Sequence, residues 1–343
     1  MQLQRTANVP GRSGSLRARG SDGRVVVAGR GSAVARAPTV SVRAVEVESD
    51  VDGEIDPMTG MVIARTSTLN PVAGYTLQAG GLDWAYRRNE VDAGAAAAAA
   101  GLADVLLLHG LGSSSYSYRN TLALLGGSGV SAVAPDWPGH GDSAKPAPGG
   151  KFDYSEAAYT AALDSFVAAV DLKKPLTLVV QGFVLSQYAL LWAAEHPGVV
   201  GRLLILNTPL AASTKLRPEL AAYKNPIPFL RPKPDAPFDG TLFNMSGSPY
   251  AMQVDDAYTR WRQPTLLLWG SNDPFMDARS AFDFLETKRT NMKTTTVAAK
   301  LGHCPQEDFA EALHDPIMSF LRGEEPKTSK VAMRMTKRGL EGM

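Results

Sequence analysis

Short, largely apolar runs without charged residues, recurring between helical patterns, constrain this chain more than any other feature. Val105–Leu108, Val130–Ala134, Leu176–Val180, Leu203–Leu206, Pro264–Trp269 and Thr294–Val297 each read as a buried strand. Helical patterns follow or separate them at about Ser117–Leu125, Glu156–Val170, Val184–His196, Ala278–Glu286 and Glu307–Leu321. A strand that is apolar at every position has no solvent face and must be covered on both sides. The pattern therefore predicts an α/β fold built of βαβ units, with a mostly parallel sheet and helices on both faces. A further strand, Leu82–Arg88, precedes the series, and the alanine tract Ala95–Ala100, bounded by Gly94 and Gly101, reads as an inserted connector.

With 44% hydrophobic residues in 343, the chain can bury a substantial core, and no apolar run is long and uncharged enough to form a transmembrane segment. Its charge is unevenly spread. Residues 1–45 hold eight arginines, no lysine and one acid, Asp22, which leaves 27 of the 35 Lys+Arg against 33 of the 34 Asp+Glu in the remainder. The remainder is thus net acidic, and no nucleic-acid partner is expected. An Arg-, Ser- and Ala-rich, acid-poor start reads as a transit peptide, with Val42-Arg43-Ala44 resembling a plastid processing site. The chloroplast is the expected location and the mitochondrion the alternative; a disordered tail is the plainer reading of the same composition. The single cysteine, Cys304, excludes an intrachain disulfide and fits a reducing compartment.

Between Leu210 and Gln263 the alternation breaks into a stretch dotted with prolines from Pro218 to Pro249. An insertion of that length suggests a lid over the carboxyl edge of the sheet. The expected layout is a transit peptide at 1–45, an acidic linker at 46–74, a core at 75–210 and 263–322, a lid at 211–262, and a flexible tail at 323–343.

Chemistry-bearing residues cluster at the strand ends. His109-Gly110-Leu111-Gly112-Ser113 follows one strand, and Asp136-Trp137-Pro138-Gly139-His140-Gly141-Asp142-Ser143 the next. Val180-Gln181-Gly182-Phe183-Val184 joins a strand to a helix, and Trp269-Gly270-Ser271-Asn272-Asp273-Pro274 and Gly302-His303-Cys304-Pro305 close the series. In this order the motifs resemble the α/β-hydrolase superfamily, in its lidded branch with dehalogenase- and epoxide-hydrolase-like members, over about residues 75–322.

By position, the resemblance implies Asp273 as the triad acid, His303 as the base, and the backbone N–H groups of Leu111 and Phe183 as oxyanion donors. A pocket between lid and sheet edge, lined by Gly110, Leu111, Phe183, His303, Tyr250 and Trp261, would suit a small apolar ligand. The nucleophile position falls on Gly182, which has no side chain, and Val180 and Val184 replace small flanking residues, which implies a relaxed or wider turn.

Other attackers fit poorly. Ser186 lies a helical turn beyond the elbow and should point down the helix, Cys304 reads as a small buried hydrophobe, and Asp136, Asp142 and Ser143 read as strand-end and loop residues. Gly110-Leu111-Gly112 mimics a dinucleotide fingerprint, but Ser115 stands at its third glycine, and Asp50–Glu54 lacks the glycine placement of a calcium loop. The histidines show no metal-ligand spacing, so neither metal nor cofactor is expected. Three functions stay open: a pseudo-hydrolase binding a small molecule or a protein partner, an enzyme using His303–Asp273 as a general-base dyad, and a hydrolase with an unrecognised nucleophile.

Overall fold

A computed structural model describes residues 54–55, 62–63, 70–147, 150, 152–210, 249–270, 272–276, 292–294, 301–324, 333–336 and 339–342. Its central sheet has eight strands: β1 (Val72–Ala79), β2 (Leu82–Asn89), β3 (Val105–Leu108), β4 (Ala132–Pro135), β5 (Leu176–Gln181), β6 (Val200–Leu206), β7 (Thr265–Leu268) and β8 (Met292–Thr294). In space they run β8-β7-β6-β5-β3-β4-β2-β1. Strand β2 is antiparallel to both neighbours, and every other pairing is parallel.

Strand periodicity explains how the helices divide. Leu106 and Leu108 bury in one apolar cluster and Val105 and Leu107 in the other, because successive side chains leave a strand on opposite faces. On one face lie α1 (Arg119–Gly127) and α5 (Ala310–Leu321), the latter presenting Leu313, Ile317, Phe320 and Leu321 at helical spacing. The other face is covered by α2 (Glu156–Ala169), α3 (Leu185–Glu195) and α4 (Pro249–Arg260). Ser155 starts α2 by accepting the Ala158 amide at 3.1 Å.

Three readings need adjustment. The edge strand β1 escaped detection, although Gly80 and Gly81, with φ of +61° and +76°, form the two-residue turn that pairs it with β2. Strand β8 begins at Met292, ahead of its expected start at Thr294. Residues 249–260 of the expected lid form α4, whose Val254 and Tyr258 bury in the core beside α3. The rest of the lid at 211–248, the helix expected at Ala278–Glu286 and the transit-peptide segment lie outside the described residues. Short antiparallel pairs, Glu54–Ile55 with Val62–Ile63 and Met333–Thr336 with Gly339–Gly342, fall in the expected linker and tail. No described helix is long and apolar enough to cross a membrane.

Register brings the chemistry together. Leu108, Val180, Ile205 and Leu267 sit side by side across four parallel strands, so the residues that follow them emerge along one edge. The chain leaves β3 for β4 on one side and then returns to β5 on the other, making this edge a topological switch point.

His109 ties that edge to β4. The Trp137 amide donates to its Nε2 at 3.2 Å, the Trp137 indole donates to its carbonyl at 2.9 Å, and its Nδ1 donates to the Gly110 carbonyl at 2.8 Å. Both ring nitrogens are thus committed in the neutral form, and burial, with His140 opposing and Asp136 favouring protonation, lowers its pKa to about 4. An unfolded chain takes up this proton from about pH 6.5 downward while the folded chain resists until about 4. Stability is therefore lost as pH falls through that window. Urea midpoints from pH 7.5 to 4 should show this loss, and His109→Gln should flatten it relative to the wild type.

Candidate functional site

Asp273 is wholly buried where the chain leaves β7, and four donors surround it. Its Oδ1 accepts the amides of Phe275 (2.7 Å) and Met276 (3.0 Å), and its Oδ2 accepts Asn207 Nδ2 (2.8 Å) and His303 Nδ1 (2.9 Å). The structure thus brings together Asp273 and His303, as expected, and adds Asn207. That residue directly follows β6 with a φ of +34° and is fully buried. Its side chain also accepts the Gly270 amide at 2.8 Å, fixing the turn after β7. Asparagine tolerates such a backbone better than most residues. Its only signal in the sequence was a polar residue closing an apolar strand.

His303 is held from three sides. Gln181, buried at the end of β5, donates Nε2 to the His303 carbonyl at 2.8 Å. Next to it the Gly302 amide donates to Asp308 Oδ2 at 2.6 Å. Phe183 stacks on the imidazole with ring centroids 4.7 Å apart, and Phe275 meets it edge-on at 5.1 Å. Because Nδ1–H is given to a carboxylate, Nε2 of the neutral ring is an acceptor. The side chain keeps 13% of its surface exposed, whereas that of Asp273 is fully buried.

Gly182 sits at the sharp turn from β5 to α3 with a φ of +85°. A Cβ placed there would lie 3.7 Å from His303 Nε2 and 3.2 Å from the Gly110 Cα. Gly110 is itself glycine for a steric reason. A Cβ on it would meet the Gln181 carbonyl, the Phe183 nitrogen and the Gly182 Cα at 2.7, 2.8 and 2.9 Å, all main-chain atoms that cannot step aside. The β3 loop and the elbow are in backbone contact, so Gly110 serves packing at the site's floor.

The elbow departs from expectation just beyond Gly182. Val184 has a φ of +61° and ψ of −75°, a conformation that a β-branched residue seldom adopts. It is the centre of a strained γ-turn in which the Leu185 amide donates to the Phe183 carbonyl at 2.8 Å. That carbonyl also accepts the Leu111 amide at 3.0 Å. The expected pair of oxyanion donors is therefore corrected: Leu111 N–H is taken up by the elbow's own carbonyl, and the Phe183 amide is the member of the pair outside that bond. Nor is the turn simply widened by its valines, since Val180 is fully buried in the core and Val184 adds a tight bend.

Trp261 is also corrected. Its indole donates to Thr265 Oγ1 at 2.8 Å, at the start of β7, whereas the site lies at the ends of the strands. It belongs to the core under α4. Tyr250 falls in the first turn of α4, and its side chain lies outside those described.

Of the other candidate attackers, Ser186, Asp136 and Ser143 are engaged in local hydrogen bonds. Ser186, fully buried, donates its hydroxyl back to the Gly182 carbonyl. Burial, reinforced by Glu307, Asp308 and Asp273, pushes the Cys304 thiol up to about 12, where it stays protonated and poorly nucleophilic. Asp136 accepts the Ser115 and Asp142 amides at 2.6 and 2.8 Å, and Ser143 donates to the Asp136 carbonyl at 2.6 Å, which makes both residues loop clamps. Among the described residues no cluster of three or more His, Cys, Asp or Glu side chains could hold a metal.

Residues 105–315 match the model of the alpha/beta hydrolase family. A haloalkane dehalogenase of Mycobacterium marinum is 28% identical over 209 residues, covering 50% of this chain and 69% of that protein. A haloalkane dehalogenase of Psychrobacter cryohalolentis is 24% identical over 256 residues, covering 63% and 82%. Among solved structures, a haloalkane dehalogenase from Bradyrhizobium elkani superposes with a TM-score of 0.56 at 20% identity, over 74% of this chain and 98% of that one. A membrane phospholipase A described as a bacterial virulence factor gives 0.56 at 21%, over 74% and 86%.

Asn207→Leu should show how far the dyad depends on its third member. The change strips one donor from a buried carboxylate and breaks the bonds of Asn207 to the Gly270 amide and, at 3.3 Å, to its carbonyl, at a cost of about 1–3 kcal/mol. Urea unfolding should register that loss, and the His303 ring resonances should broaden or shift as its acid partner is freed to move.

Proposed function

The chain belongs to the alpha/beta hydrolase family and has its fold, and from that premise we propose that it is a member without covalent ester hydrolysis that binds a small apolar molecule at the sheet's carboxyl edge. The observation that carries this reading is the turn at Gly182. His303 Nε2 is 3.7 Å from where a Cβ would stand, so the base faces the position of an attacking group that glycine does not supply. The bond from Leu111 to the Phe183 carbonyl supports it independently, since loss of one oxyanion donor costs ~10²–10³ in turnover. Phe183 and Phe275 around the imidazole favour an apolar ligand body, in keeping with relatives named for haloalkanes. Delivery to an organelle, the chloroplast first and the mitochondrion second, is supported by the arginine-rich, acid-poor residues 1–45.

A second reading has its own observation. Asp273 with all four donors in place orients His303 as a general base would require, so proton abstraction without a covalent intermediate remains chemically available. Turnover of any acidic small molecule that vanishes in His303→Ala would favour this reading over pure binding.

A serine-directed fluorophosphonate should leave the wild-type protein unlabelled; stoichiometric adduct by intact mass would refute the proposal. Gly182→Ser should label slowly and only with His303 present, because the installed hydroxyl gains a base and lacks one oxyanion donor. Its esterase rate should sit ~10²–10³ below that of a two-donor serine hydrolase.

A further inference from the structure

The hydrogen-bonding character of the floor beneath Gly182 specifies more than an apolar ligand. A hydrolase floor is lined with donors, because negative charge develops on the substrate oxygen. Here one of the two expected donors is withdrawn. Nδ1 of His303 is given to Asp273 at 2.9 Å, which leaves Nε2 as a lone-pair acceptor aimed at the Gly182 turn. The Leu111 amide is spent on the Phe183 carbonyl at 3.0 Å. That carbonyl receives the Leu185 amide as well, so both of its lone pairs are occupied. Among these described residues, the floor offers one acceptor, Nε2, and the Phe183 amide as a donor.

We propose that the site recognises a ligand with a free hydroxyl on an aromatic or other planar apolar body, the hydroxyl donating to His303 Nε2 from the place where a nucleophile side chain would stand. This deepens the binding reading above and rests on it. A hydroxyl is the smallest group that donates to Nε2 and can accept an amide at the same oxygen. An ester carbonyl or an ether oxygen only accepts, and leaves Nε2 facing a lone pair. A carboxylate adds a charge in front of an imidazole whose rear is held by the buried Asp273. The planar body follows from the rings: Phe183 lies parallel to the imidazole within 24°, and Phe275 stands perpendicular at 88°. A flat ligand that reaches His303 Nε2 would therefore pass beside aromatic surface, where stacked or edge contacts add to burial.

Three fluorescent probes of one size separate the possibilities: 2-naphthol, 2-methoxynaphthalene and 2-naphthoate, each titrated into the full chain at pH 7.5. The expected result is that 2-naphthol binds roughly ten- to hundred-fold more tightly than the other two, the range for leaving a buried acceptor unpaired. That preference should collapse in His303→Phe. It should also collapse in Gly182→Ser, whose own hydroxyl takes the place beside Nε2, and which serves if the first variant does not fold. Equal binding of naphthol and its methyl ether, or a preference that survives in either folded variant, overturns the hydroxyl assignment while leaving an apolar binding site standing. Failure of all three probes to bind overturns the assignment together with the binding reading beneath it.

Discussion

A carboxylate with no exposed surface has to be surrounded by donors, and the demands of Asp273 organise the whole carboxyl edge. Two amides come from a tight turn at 275 and 276, which sets the path of the chain after β7. The third donor requires Asn207 to leave β6 with a positive φ, and the same side chain then grips Gly270. The fourth is His303, whose tautomer is thereby decided. One buried charge thus fixes a turn, a strand end and the protonation pattern of an imidazole. Such a network is stable when complete and costly when one member is missing, so its completeness here is a property of the fold whether or not chemistry follows.

Around that acid the elbow is tied to the loop after β3. In a covalent hydrolase the turn holds an attacking atom above the sheet and leaves two amides free. In this chain the turn presents no side chain, and its Phe183 carbonyl turns inward to take the Leu111 amide. The strained backbone at Val184 is the local cost, of order 1–3 kcal/mol, and close packing of the surrounding core holds it in place. Gln181, one residue earlier, links the same elbow to the His303 loop. The His303 loop and the elbow are therefore mechanically joined.

The fold was legible because both faces of the sheet are dry. Val105–Leu108 and Leu176–Gln181 bury every residue, and a run without polar alternation announces that directly in sequence. The edge strand β1 escaped for the converse reason: Val72–Ala79 mixes glycine, threonine and glutamine among its apolar residues. Asp273 and His303 were legible from position after their strands. Asn207 and Gln181 were not, since a lone amide at a strand end carries no spacing signal and its partners lie 66 and 122 residues away. Trp261 misled because large aromatics line pockets and cores alike, and only the register of β7 reveals which end of the sheet it occupies. The loss of the Leu111 donor was beyond any residue-type argument, because it depends on which way one peptide group faces.

The suppressed thiol has a practical side. Cys304 is the chain's single cysteine, and its surroundings keep it protonated far above physiological pH. Maleimides and other thiolate-seeking reagents therefore find the folded chain nearly blank. A cysteine installed on an exposed helix would be the one fast-reacting conjugation handle, so a dye or spin label could be attached without first engineering the native residue away.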